Sequence, residues 1–410
     1  MKMIKKLLAA AVLTGLSSLS SATELEVSHW WTSGGEAAAV TELAKAFDAS
    51  GDKWKDSAIA AGGGGAAAII ISRILGGDPM GATQLNHGRD AEELIKAGLL
   101  QDLTDVAEKE NWREIIRPSS LLDSCTFEGR IYCAPVNIHS PQWLWLSHKA
   151  FKDAGIPVPK NWSEFIAAAP ALDKAGKLPL AVGQQAWQSN LTFNAITIAI
   201  SGLEPWKKVY VDKNAEVAGG EEFKKVFEAA DQARKISAKG KMQDWNAATA
   251  MVIKGDAGGQ IMGDWAQGEF QLAGQVAGED YTCLPGLGVT EMISTGGDAF
   301  YFPVLKDAEQ TAAQKRLAAL IIQKDTQVAF NLKKGSLPIR GDVDLETAND
   351  CMKKGIKILA GNNVLPDLSQ VISADTMSDL EDLMVEFWND PSMTTEEAQE
   401  RFVKVIARAD

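Results

Sequence analysis

The sequence predicts a doubly wound α/β fold, because short apolar or alternating runs recur between segments of helical period, with glycines and tryptophans at the changeovers. Length adds a further observation: about 388 residues follow the leader described below, and at roughly 100–200 residues per domain they favour two domains. No Pro- or Ser-rich linker separates them, so the two are expected to exchange strands through several short crossovers.

Leu25 to His29 alternates into a strand, Gly35 to Phe47 has apolar residues at helical spacing, and Trp54 to Ile59 forms the next strand. AGGGGAAAIIISRILGG then reads as a flexible glycine turn and a helix over Ala66 to Leu75 that stops at Gly76-Gly77. The glycines lack the lysine of a phosphate loop and the spacing of a dinucleotide fingerprint, which argues against a nucleotide site. Asp90 to Ala97 and Trp112 to Ile116 continue the alternation, and TFEGRIY is a hairpin turning at Glu128-Gly129. Trp143 to Ser147 is a strand feeding a helix over Lys149 to Ala154, after which Asn161 or Ser163 caps the next helix. Helical stretches follow at Thr192 to Ile200, Gly220 to Ser237 and Asn246 to Lys254. Gly258 to Met262 is a buried strand, and Met377 to Trp388 and Thr395 to Ala407 are amphipathic helices.

Lys2, Lys5 and Lys6 precede an apolar run, Leu7 to Leu16, that leads into Ser20-Ser21-Ala22, the pattern of a secretory signal peptide over residues 1–22. The run is too short to span a bilayer, so an exported, periplasmic protein is expected. Loss of the leader's three lysines takes the formal charge from -13 to -16. An acidic chain with no basic run argues against nucleic acid or anionic membrane as partner.

Four cysteines in an exported chain without metal-ligand spacing suggest disulfides, for which three pairings are possible. The hairpin sets Cys125 opposite Cys133, and elimination then pairs Cys283 with Cys351; four buried thiols are the competing reading. His29, His87, His139 and His148 share no metal-ligand spacing, so neither metal nor other cofactor is expected.

Several segments resemble the extracellular solute-binding proteins of family 1, which serve ATP-driven sugar importers, and among them the glucose-binding proteins. They are HWWTSGGEAAAV, FEGRIYCAPVNIH, LWLSHKAFKDAGIPVPKNWSEF, GQQAW, MGDWAQGEF, TGGDAFYFP and NLKKGSLPIR, spread in order over nearly the whole chain after the leader. The resemblance implies a two-lobed periplasmic binding protein fold, with a ligand cleft between α/β lobes joined by hinge strands. The expected lobes are 23–134 plus 289–341 and 135–288 plus 342–410. It also implies a monomer that catalyses nothing and hands its sugar to a membrane permease driven by a separate ATPase.

A hexose offers apolar C–H faces and a rim of hydroxyls, so its site needs planar aromatics and charged hydrogen-bonding groups. Trp30 and Trp31, where the first strand meets its helix, are expected to form one wall. The resemblance adds Glu36, Gln84 and Asp298 as acceptors or polar contacts, and Lys334 rather than Lys333 as donor. Glu36 also fits as a first-turn acid of its helix. Family members often carry an aspartate just before Gln84 where this chain has DPMGATQ. From the second lobe the candidates are Asn137, Trp187, Trp245, Asp264 and Trp265, with Trp265 expected to stack opposite Trp31. Glucose-binding relatives often have a histidine late in the chain, whereas Ile356 to Asp410 has none, which makes another hexose or a polyol an alternative to glucose. The rivals are a secreted glycoside hydrolase using Glu36 and Asp298, and a choline or betaine receptor caging its ligand in tryptophans.

Overall fold

The computed structural model describes residues 22–242, 244–343 and 345–410; all of the predicted leader except Ala22 lies outside them. Two sheets organise the chain. The first runs in the order Lys53–Ala58, Glu24–His29, Ala82–Asn86, Asp298–Tyr301, Cys133–Pro135. Its first three strands are mutually parallel, and Asp298–Tyr301 enters antiparallel with Asp298 opposite Asn86. The second sheet has the order Tyr281–Pro285, Trp143–Ser147, Ala257–Met262, Leu178–Leu180. Helices cover both, so this is the α/β two-lobed architecture expected.

Trp143–Ser147 shows how the second sheet is buried. Successive side chains point to opposite faces, so Trp143 and Trp145 join the apolar cluster containing Phe270 and Tyr281 while Leu144 and Leu146 join the one containing Phe165 and Phe193. All five residues are buried, the condition that makes such a strand read as a continuous apolar run.

The helix Gly34–Ala49 starts at a capping box in which Ser33 and Glu36 satisfy each other's backbone. It packs against the helix Lys324–Lys334. Glu128 and Gly129 both take the left-handed region, with φ 48° and 80°, as a two-residue hairpin turn demands. The turn lets Thr126 pair with Ile131. Disulfides join Cys125 to Cys133 and Cys283 to Cys351.

The glycine run departs from expectation. It is not a turn ahead of a helix but the helix's own first turn, since the helix spans Gly62–Leu75 and has no side-chain cap. Gly62 has a reason to be glycine: its φ is 67°, and a Cβ there would come within 3.2 Å of the Gln185 amide group and Trp187 Nε1, whereas one on Gly63 would make only an ordinary contact with the Trp30 indole. Glycine costs helical propensity, and at Gly62 it admits the close approach of Gln185 and Trp187.

Candidate functional site

The cleft between the sheets is a cavity of about 620 Å³, within the usual range of small-molecule sites. Trp30, Trp187, Trp245 and Trp265 line it, together with Glu36, Asp298, Lys334 and His139. Trp30 follows the strand Glu24–His29, so it lies just beyond a strand's carboxyl end. Its backbone N–H donates to Gln84 Oε1 at 2.9 Å. The Trp187 indole donates to Gln185 Oε1 at 2.9 Å, and Gln185 in turn donates to Asp244 Oδ1 at 2.8 Å. Trp187 and Trp265 have ring centroids 6.2 Å apart.

Lys334 Nζ donates to Glu36 Oε1 at 2.7 Å, and both side chains are almost wholly buried. Each charge stands at a favourable helix end. Glu36 is in the first turn of Gly34–Ala49, and Lys334 is the last residue of a helix that Gly335 stops in the left-handed conformation at φ 86°. Lys333 points to solvent instead. The Lys334 ammonium also lies 5.8 Å from the centre of the Trp265 ring.

Asp298 receives hydrogen bonds from Gln84 Nε2 at 2.5 Å and Asn137 Nδ2 at 2.9 Å, and a third contact from His139 Nε2. A carboxylate has about four acceptor positions, so one remains for a ligand. Burial alone would raise its pKa. The His139 charge and hydrogen bond, the Lys334 charge and the Asn137 amide outweigh that and hold the carboxyl well below the usual carboxylate range.

Four of the expected contact residues do not line the cavity. Trp31 is 1 % exposed and packs into the core against Phe300 and Phe330, with ring centroids 5.8 and 5.1 Å away. Adjacent residues of an extended chain face opposite ways, so the chain that brings Trp30 to the cleft turns Trp31 inward, and no stacking of Trp265 opposite Trp31 exists. Gln84, Asn137 and Asp264 are buried behind the wall. The first two hold Asp298 by their amides, and Asp264 accepts from Ser140 N at 3.0 Å and lies 3.3 Å from His139 Nδ1.

Sequence reasoning passed over His139, screened only for metal spacing. Its signal was its place two residues after Asn137 in VNIHS, which puts both side chains on one face of an extended segment, toward Asp298. It also passed over Asp90, Asp367 and Glu381, which line the far end of the cavity. Burial pushes Asp90 up to about 6, with the Asp367 charge adding to it. Burial, then the Asp382 and Asp90 charges, push Glu381 up to about 7.

A profile described as bacterial extracellular solute-binding protein matches residues 31–327. The chain belongs to that family. This solute-binding protein is 38% identical over 354 residues to a probable sugar-binding periplasmic protein of Brucella suis biovar 1 (strain 1330), covering 85% of this chain and 83% of that one. It is 34% identical over 417 residues to a protein of the same description from Mesorhizobium japonicum (strain LMG 29417 / CECT 9101 / MAFF 303099), covering 98% and 99%. Among solved structures, a chitin oligosaccharide binding protein superposes with a TM-score of 0.76 at 19% identity, covering 95% of this chain and 99% of that one. Maltose-bound T. maritima MalE3 gives 0.74 at 16% identity, covering 94% and 99%. At these identities the two structures speak to the fold alone. Among the described residues of the solute-binding protein, no helix is long and apolar enough to cross a membrane.

Proposed function

We propose that this protein is the periplasmic sugar-binding component of an ATP-driven importer, that it binds glucose or a related hexose, and that it delivers the sugar to a membrane permease. The observation that carries the reading is the pairing, in one cavity, of the indoles of Trp30, Trp187, Trp245 and Trp265 with a rim of buried charges, Glu36, Lys334 and Asp298. Indole faces suit the C–H faces of a pyranose, and charged groups make the stronger hydrogen bonds that a neutral polyol needs. Relatives described as probable sugar-binding periplasmic proteins support the class. The predicted leader supports export. A disaccharide is the second reading, favoured by the extension of the cavity past Asn86 to Asp367 and Glu381.

The rivals fit less well. A glycosidase built on Glu36 and Asp298 needs one of the two kept protonated as general acid. Asp298 is held ionised, and Glu36 is bound to Lys334. A quaternary ammonium ligand would have to approach a Trp265 ring already faced by the Lys334 ammonium.

Calorimetry and thermal shift with glucose, galactose, mannose, sorbitol, maltose and betaine test the proposal. At 100 times its Kd a saccharide should add about 2.7 kcal/mol of stability, and small-angle scattering should show compaction as the lobes close on it. Heat from betaine alone, no heat from any saccharide, or turnover of aryl glycosides would each defeat the reading.

A further inference from the structure

The chain passes between the lobes beside the His139 ring. The segment 136–142 leaves the first sheet after Cys133–Pro135 and enters the second at Trp143. Along the way its backbone is bonded on two sides. Ile138 N donates to Leu337 O at 2.8 Å and Leu337 N returns to Ile138 O at 3.1 Å, while His139 N donates to Gly296 O at 2.9 Å. His139 therefore stands in the middle of three neighbouring passes, its side chain 13 % exposed toward the cavity. Its Nε2 meets Asp298, the first residue of a strand in the first sheet. Its Nδ1 is 3.3 Å from Oδ1 of Asp264, on the turn that leaves the strand Ala257–Met262 of the second sheet. The Trp265 ring closes over it edge to face, with centroids 5.0 Å apart.

The donor inventory restricts what this ring can be. An ionised carboxylate only accepts, and a neutral imidazole carries one N–H, so between two carboxylates it would turn a lone pair toward one of them. Only the imidazolium donates to both. We propose that His139 is a positioning residue, held as an imidazolium that fastens one carboxylate from each lobe at the hinge and keeps Asp298 charged and oriented for the ligand. The part that concerns ligand affinity rests on the sugar-binding reading; the charge state of the ring does not.

The groups facing the ring pull both ways. Asp298 and Asp264 attract a proton onto it, while Lys334 across the cavity and His87 beneath oppose one. Burial raises the Asp264 carboxyl, and the His139 hydrogen bond and charge work against that rise. His87 brings little opposing charge, because burial pushes it down to about 4. Burial of His139 alone would lower its affinity for a proton. The Asp298 charge and the hydrogen bonds to Asp264 and Asp298 outweigh burial and lift the imidazole to about 9. A raised imidazole stabilises the folded state fully below its ordinary value near 6.5, and that contribution is lost as pH rises through about 9. The tie is therefore closed across the neutral range and opens in alkali.

Nitrogen-15 NMR of the histidines in the whole exported chain tests this, with His139→Gln used to assign the ring. Both ring nitrogens are expected to carry protons at pH 7.5 in the sugar-free protein, with titration near pH 9. Asp264→Asn, which leaves the ring in place, should lower that titration. A neutral imidazole at pH 7.5, with Asp264 holding the proton instead, overturns the proposal, as does a titration that Asp264→Asn leaves unmoved. With glucose as probe, wild-type affinity should weaken toward tenfold per pH unit above about 9. His139→Gln should bind more weakly with no such break, and a break that persists in it counts against the tie. If glucose gives no heat at any pH, the sugar reading fails while the imidazole titration still decides the tie.

Discussion

Lys334→Met is expected to destabilise the protein by about 3 kcal/mol, because removing one member of a buried ion pair strands the other without its partner. The stranded group is Glu36, 7 % exposed and tied by its helix cap to the start of Gly34–Ala49. Ligand binding should fail with it, since an ammonium has three donors and only one is spent on Glu36. Urea unfolding of Lys334→Met, Glu36→Gln and the double variant checks the origin of the effect. The double variant should recover most of the lost stability, because no buried charge is then left unpaired, yet it should not recover binding. Added salt should change the wild-type difference little, as a pair so enclosed is weakly screened. A single Lys334→Met variant as stable as wild type would show that the pair contributes nothing to the fold.

Asp298→Asn should weaken sugar binding by roughly 100-fold, from the loss of a charge-assisted bond of about 1.5–3 kcal/mol together with a donor placed against donors. Gln84, Asn137 and His139 all direct N–H groups at this carboxylate. An amide can offer its oxygen to only one side, so at least one of them meets an NH2 group instead. Calorimetry with whichever saccharide the panel selects gives the answer, and an unchanged Kd would remove Asp298 from the site. Circular dichroism on the same sample separates lost binding from lost folding.

Much of the fold was legible because its signals are local. Strand alternation, helical period and turn residues marked Glu24–His29, Gly34–Ala49, the Glu128-Gly129 hairpin and the amphipathic helix Thr395–Ile406 within a few residues. The two-lobed arrangement came from the family resemblance and not from any pattern of residues. In the site, Glu36, Asp298 and Lys334 were named by the same resemblance, and they line the cavity. What sequence could not separate was the cavity wall from the layer behind it. Trp30 and Trp31 are chemically identical neighbours, and only the direction in which the strand leaves the sheet sends one to the cleft and the other against Phe330. Gln84, Asn137 and Asp264 serve buried partners behind the wall, since a side chain that holds a buried polar group and one that holds a sugar have the same chemistry. His139 acts through two residues more than 120 positions away in the chain, and its one local signal, the spacing from Asn137, names neither of them.

The bare first turn at Gly62–Gly65 bears on how such a molecule can change its diet. The missing methyl group at Gly62 sets how closely the Gln185 and Trp187 side chains of the opposite jaw can seat on this turn. Of these positions only Gly62 meets the opposite wall, where an added methyl group would press on Gln185 and Trp187 while its φ of +67° strains the new residue. Selectivity by ligand thickness could thus be retuned at this one position.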